Sequence, residues 1–547
     1  MSLKSYHEES LRPPATEDAA AATTTKWDWA EVLLDHVAYM VDKKNHTSAP
    51  LRFKRNLDGK EVDVQVTFCF AKPPRVSHFC CHAYFTDDHG EEDTCLFFRE
   101  PFVFATDGNL ALITLCIGLG RPSPFDTKKC KYEYLVYQAA SSPEGKPGLT
   151  RIPKFPAHML PTTGSDCIPS RAIGLVRYRS NISTDAHPHK APFTPPAPIL
   201  SPAVALARPQ SFPFTPPTSI LSPSVTAYSD ALAKGDACDA YRIAALAYDY
   251  FHDSSNSPYG PYYICTYDSK AEDWIRKPAA IPQPPLPSDY ICDIDMVITI
   301  GGSSRGIMGW VDLWNGMLLS DVLADHKPCR PLRYVTLPKP TQPQNWLPLA
   351  VDIGCNCRDI VLVKETGIIR FVDLQVHADP SIPCSQTPCG WTVLTWTLEG
   401  FHEGLDLETL GDLHFQPELE LHSSDISGYK LPQSLFVSNP ILSSNTDGVL
   451  YLRTNVSSAT NRNSQVIAVD IKHKMLLDVK EFDMQRPNNY MRTSISSYLK
   501  PPVSNKSMKR RAPQSMGSSR KKPQQQPAIT NPAEGGEVDV GDAMDSQ

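Results

Sequence analysis

Long apolar runs are missing from this chain of 547 residues. Its best approach to one, "ALITLCIGLG", is broken by Thr114 and Gly118 and falls well short of the ~18 residues that a bilayer-spanning helix needs, so no membrane partner is expected. An excess of positive charge is missing too, the formal net charge being −7. The segment from Pro501 to Gln547 holds seven Lys or Arg against five Asp or Glu, which leaves the rest of the chain at −9. That balance excludes a generally basic nucleic-acid binder and confines any basic footprint to the tail. Nor do the first 25 residues, "MSLKSYHEESLRPPATEDAAAATTT", carry the continuous apolar core of a secretory signal, and 1–25 read as a disordered leader. Fifteen cysteines, an odd number, in a chain without such a signal imply reduced and mostly buried thiols. The expected location is the nucleus, the cytoplasm or both, and the protein is not expected to be secreted.

Catalytic motifs are equally scarce. There is no H-E-x-x-H and no G-x-x-x-x-G-K-[ST], and "GLGRPS" lacks the last glycine of a dinucleotide fingerprint. "GGSSRG", Gly301 to Gly306, satisfies G-x-S-x-G with Ser304 at its centre. That motif works only on a strand-to-helix elbow, whereas here it joins "DMVITI" to "IMGWVDLW", two apparent strands, and reads as a glycine-rich hairpin turn. The acids of "HGEEDT" fit a solvated turn. No catalytic residue and no cofactor site is assigned, and a non-enzymatic protein is expected.

Candidate metal ligands cluster in two places. "HFCCH" sets His78, Cys80, Cys81 and His82 together, and strand alternation sends His78, Cys80 and His82 to one face and Cys81 to the other. Cys355, Cys357, Cys384 and Cys389 form a second group. Zinc prefers four ligands from two C-x-x-C-like knuckles, and neither group has that spacing. Both read as ordinary strand residues, with no metal site assigned.

Proline is abundant, at 51 residues, and it punctuates the chain. "PFTPPAPILSPAV" from Pro192 recurs as "PFTPPTSILSPSV" from Pro213, a short duplication within a Pro-rich loop at 184–230. Such composition favours extended polyproline conformations over a packed core. Between the loops lie short β-branched and aromatic runs, among them "VDVQVTFCFA", "YEYLVYQA", "YRIAALAYDYF", "IVLVKETGIIRFVDLQV", "WTVLTWTLE" and "VIAVDI". Several pair as strand, turn, strand: "YYICTYDSKAEDWIRK", "GWVDLWNGMLLSDVL" and "SQVIAVDIKHKMLLDVKEF", with "YEYLVYQA" to "PGLTRIP" a longer-turned version. Helices are expected only at "WDWAEVLLDHVAYMVDK" and "GLDLETLGDLH". The fold expected is mostly β, a β-propeller-like array of about five or six blades, each too small to stand without its neighbours.

The segment "GWVDLWNGMLLSDVLADHKPCRPLRYVTLPKP" resembles the plant domain of unknown function 1618 family, a group expanded in grasses. Trp310, Asp312, Leu313, Trp314, Gly316 and Asp321 make up the hairpin that carries the likeness, as structural residues. "WAEVLLDHVAYMVDKKNHTSA", "VQVTFCFAKPPRVSHFCCHAYF", "GIIRFVDLQV" and "WTVLTWTLEG" resemble the same family, extending it over roughly Trp27 to Asp483. The body is thus placed at 26–483. The family has no established activity, so the resemblance carries over no catalytic residue. It also suggests comparison with F-box proteins, but no compact helical F-box precedes the β region.

The remaining segment, 484–547, reads as a disordered tail with two basic clusters. Lys509, Arg510 and Arg511 are separated by eight residues from Arg520, Lys521 and Lys522, the layout of a bipartite signal for a nuclear import carrier. Ser507, Ser515 and Ser519 beside them are positions where phosphate would offset the cations. The leading functional expectation is a protein-interaction scaffold with a partner of unknown identity. The alternative is a nuclear nucleic-acid-associated protein that uses its basic tail, and a third is an F-box-like adaptor without an evident F-box.

Overall fold

Along Glu61–Cys69, Val62, Val64 and Val66 are buried while Asp63 and Gln65 stay partly exposed, the two-residue period of a strand with one face inside. Other runs are apolar throughout because both faces are covered. Every residue of Ile307–Asp312 is buried. The computed structural model describes residues 6–14, 29–54, 59–85, 97–118, 130–139, 146–156, 171–179, 240–249, 259–287, 293–301, 305–325, 327–340, 354–379, 387–401, 405–427, 431–432, 434–455, 463–483 and 490–499. Within them the elements are strands and short 3-10 turns.

The strands form six sheets. The first sheet comprises β1 (Val32–Asp35), β2 (Ala49–Lys54), β3 (Glu61–Cys69), β4 (Val76–Phe85) and β25 (Tyr490–Thr493), in the order β2-β3-β4-β1-β25. The second runs β5 (Phe97–Asp107), β6 (Leu110–Gly118), β7 (Cys130–Gln138) and β8 (Gly148–Ile152). The third runs β9 (Ile173–Tyr178), β10 (Ala240–Tyr248), β11 (Tyr262–Asp268) and β12 (Asp273–Pro278). The fourth is β13 (Met296–Thr299), β14 (Ile307–Asp312), β15 (Gly316–Asp321) and β16 (Arg333–Thr336). The fifth is β17 (Arg358–Val363), β18 (Ile368–Ala378), β19 (Pro388–Leu398) and β20 (Gln416–His422). The sixth is β21 (Phe436–Leu442), β22 (Val449–Asn455), β23 (Asn463–Asp470) and β24 (Met475–Asp483). All four hairpins expected from the sequence are present.

Six apolar cores join the sheets in chain order. Val62 and Phe68 meet Leu115 and Tyr137 between the first and second sheets. Leu112 and Tyr134 meet Ile173 and Trp274 next. Ala244 and Ile264 then meet Trp310 and Leu318, and Val311 and Leu319 meet Ile360 and Phe371. Leu374 and Trp391 meet Leu450 and Ile467. The sixth core, of Ile441 and Val466 with Leu33 and Tyr490, joins the last sheet back to the first. Six sheets with six interfaces make a closed, propeller-like ring of six blades. Each fully buried Leu, Ile, Val or Phe contributes roughly 1.5–3 kcal/mol, and none of these faces would be covered in an isolated blade. Closure uses both ends of the body: β1 pairs antiparallel with β25, Val32 opposite Thr493, and parallel with β4, Leu33 opposite Val76.

Several boundaries differ from the sequence expectations. The stretch "WDWAEVLLDHVAYMVDK", expected as a helix, holds the short strand β1 within irregular chain where it is described. Val32 and Leu34 enter one core and Leu33 the opposite one, which is the alternation of a strand between two blades. The helix expected at "GLDLETLGDLH" is a turn-rich loop from Leu405 onward, with Leu405 and Leu407 plugged into the core between the fourth and fifth sheets. The body extends past Asp483, since β25 and the turn Ile495–Tyr498 complete the first sheet and its core. Part of 1–25 is ordered as well: Glu8–Leu11 is a 3-10 turn, and Ser10 donates to Glu100 Oε1 at 3.0 Å. The Pro-rich loop at 184–230 and the basic clusters of the tail lie outside the described residues.

Candidate functional site

The first strands of neighbouring sheets, β5, β9, β13, β17 and β21, lie side by side around the centre of the ring. In the first sheet β25 takes that inner place, with Arg492 donating to the carbonyls of Ile360 and Leu442 on two other sheets. Where these inner strands end, polar groups from five sheets converge. Arg177 closes β9, and its backbone N–H donates to Asp107 Oδ2 at 2.8 Å. Its guanidinium lies 5.5 Å from the Tyr498 ring and crosses Gly108, a turn residue at φ +54° where a Cβ would collide with it. Lys364, just past β17, donates to Ser494 Oγ at 3.4 Å. Burial pushes its ammonium below the ordinary range, and the carboxylates of Asp107 and Glu31 act against that shift.

Glu31 is 8% exposed and accepts from Ser444 N at 2.9 Å through Oε2. Its Oε1 is buried without a hydrogen-bond partner among the described residues. Asp359 accepts from Leu442 N at 2.8 Å and from Arg492. Burial raises its pKa, and the Arg492 charge opposes the rise. Arg177, Asp107, Lys364 and Arg492 are only partly buried, so this axial cluster is both a lock between sheets and a surface of mixed charge.

Residues 310–451 match the family model described as "Protein of unknown function (DUF1618)". The match bears out the resemblance over those residues and spans β14 into β22. No curated protein matches the chain. Among solved structures it is similar to the WD40 domain of SCAP from fission yeast, at 10% identity over 79% of this chain and 80% of that one, with a TM-score of 0.25.

The Trp310 hairpin is a folding unit. Trp310 is fully buried and donates Nε1–H to Ala172 O at 2.8 Å, tying the fourth sheet to the third. Asp312 accepts from Trp314 N at 2.9 Å and Asn315 N at 3.1 Å, which sets the turn. Leu313 N donates to Asp295 at 3.0 Å, and the Arg358 guanidinium lies 4.6 Å over the Trp314 ring. Gly316 leaves room for the Tyr334 ring and Val335 O, the latter 2.6 Å from where a Cβ would stand. Asp321 accepts from Gly306 N and Leu323 N, each at 3.0 Å. These six residues build the blade.

Ser304 lies outside the described residues, but the strands flanking it, β13 and β14, pair antiparallel as the hairpin reading expects. Lys509, Arg510, Arg511, Arg520, Lys521 and Lys522 also lie outside them. Cys357 and Cys355 enter different apolar cores, Cys389 donates to Ala378 O, and Cys384 is outside the described residues. The "HFCCH" group fares differently. His78 and Cys80 share a face with Cys69, which stands opposite His78 in the β3–β4 register. The three ligand atoms lie within 4.8 Å of one another. Cys81 points into the opposite core, and the His82 ring lies tilted at 5.6 Å from that of Tyr84. Sequence reading placed two of these three donors on one face and missed Cys69, because alternation within β4 cannot reveal the register of β3. The hydrogen bond with Cys80, with help from His78, lowers the Cys69 thiol against the effect of burial, and the same bond together with burial raises the Cys80 thiol.

Proposed function

We propose that this protein is a non-enzymatic interaction scaffold that docks a protein partner on the end of the ring where the inner strands finish. The observation that supports the reading is the axial cluster. Arg177, Asp107 and Arg492 come from three sheets and remain partly exposed, with the buried Lys364 ammonium beside them. Partly exposed charges on a rigid ring suit polar recognition, where complementarity sets specificity and encounter rate. The expected partner is a protein with both acidic and basic side chains, met in the nucleus, the cytoplasm or both.

Affinity purification with mass spectrometry tests it on three chains: the wild type, a chain ending at Pro502, and Arg177→Glu/Lys364→Glu. A partner kept by the shortened chain and lost from the double variant at unchanged thermal stability supports the scaffold. Partners that depend on the tail alone, with salt-sensitive binding lost when Lys509 to Lys522 are removed, replace it with the nucleic-acid reading. A co-purified ubiquitin-ligase core would favour the adaptor reading.

A further inference from the structure

We propose that Cys69, His78 and Cys80 form a buried zinc site on the β3–β4 hairpin. Three observations carry this. The donor atoms of all three lie within 4.8 Å of one another. All three side chains are sealed, with Cys69 and His78 4% exposed and Cys80 1%. His78 Nε2 is buried with no hydrogen-bond partner among the described residues, an unsatisfied polar atom of the kind that folded proteins seldom keep without a ligand.

The surroundings suit a cation. The segment around Tyr39 runs along β4, taking a hydrogen bond from Cys81 N and giving one to Phe79 O. This lays the Tyr39 ring edge-on to the His78 imidazole at 5.3 Å. Tyr39 and Val41 thereby close the pocket from the side. Two thiolates and a neutral imidazole bring a formal charge of about −2, so a divalent, thiophilic cation leaves a neutral complex in a low-dielectric place, whereas a monovalent one leaves a buried charge. Zinc–sulfur bonds of ~2.3 Å and zinc–nitrogen bonds of ~2.0 Å put tetrahedral donors roughly 3.5–3.8 Å apart, so binding draws these atoms in by at most about 1 Å. Side-chain rotation covers that distance. Water fills the fourth position. Binding displaces the thiol protons of Cys69 and Cys80 to solvent, and no oxidation is involved.

The test uses the full chain, produced with zinc supplementation and purified under reducing conditions. Zinc per chain is measured by plasma mass spectrometry, and cobalt(II) exchange reads thiolate ligation as a charge-transfer band in the near ultraviolet. The expected result is about one zinc per chain, with the cobalt band present. Both are lost in Cys69→Ser/Cys80→Ser and in His78→Gln, and both are kept in Cys81→Ser, whose side chain faces the other core. A second measurement needs no variant: in urea close to the unfolding midpoint, where the sealed thiols become reachable, zinc should protect Cys69 and Cys80 from alkylation in the wild type. A wild-type chain with no zinc and no cobalt band, zinc retained in the double serine variant, equal alkylation with and without zinc, or a Cys69–Cys80 disulfide found by peptide mapping would each overturn the assignment.

Discussion

Asp295 shows how one side chain is asked to do a backbone's work. Its carboxylate accepts from Leu313 N at 3.0 Å and so anchors the Trp310 hairpin, yet it is only 8% exposed. Burial pushes its pKa from 3.8 to about 6, assisted by the Asp312 charge and opposed by the Leu313 hydrogen bond and Arg171. The folded state therefore holds a proton between about pH 4 and 6 that the unfolded chain has released, and this contribution to stability is lost as pH rises through 6. Asp295→Asn keeps the acceptor without the charge. It is expected to stabilise the protein at pH 7 by roughly 1–3 kcal/mol, with the gain shrinking toward pH 4. Melting curves across that range would show it, and an equal gain at both ends would contradict it. At Gly316 the constraint is space. Gly316→Ala places a methyl against Tyr334 and Val335 O, and a loss of about 1–3 kcal/mol in urea denaturation is expected.

Between elements, buried ion pairs stitch the blades where apolar contact alone would leave polar strand ends uncovered. Arg358 is fully buried, donates to Asp373 at 2.9 Å within its own sheet, and to Leu313 O at 2.9 Å in the neighbouring one. Arg242 does the same from the third sheet, meeting Asp268 and reaching Val322 O in the fourth at 2.8 Å. Removing one partner strands the other charge, so Arg358→Met should cost about 3–5 kcal/mol, and Arg358→Met/Asp373→Asn should recover part of it. A double variant no better than the single one would place the cost in the lost Leu313 contact instead.

This scale was also the most legible in the sequence. Hairpins such as Tyr262–Asp268 with Asp273–Pro278 announce themselves through β-branched runs and an Asp that accepts from the turn, as Asp268 does from Lys270 N at 2.8 Å. The run Val32–Asp35 misled because three adjacent apolar residues fit a helix face as well as a strand covered on both sides. The axial cluster was not legible at all. Glu31, Asp107, Arg177, Asp359, Lys364 and Arg492 share no spacing, and only closure of the ring brings them together.

At the scale of the whole molecule, β1 and β25 determine whether there is a ring. A chain ending at Asp483 lacks β25, exposes the β1 edge, and opens the core that Tyr490 shares with Leu33 and Ile441. It is expected to lose cooperative unfolding and to associate through the uncovered strand. A chain ending at Pro502 keeps every described strand and should melt like the wild type. Equal melting of both chains would show that β25 is dispensable.

The pairing of Val32 with Thr493 also has a temporal side. During synthesis the N-terminal β1 emerges early and must wait for nearly the entire body before its antiparallel neighbour exists. Until then the Leu33 face and the strand edge remain open, and the interval is fixed by translation, at ~5–20 residues per second, rather than by folding. A nascent chain of this design spends tens of seconds as an unclosed arc with that edge and that apolar face uncovered.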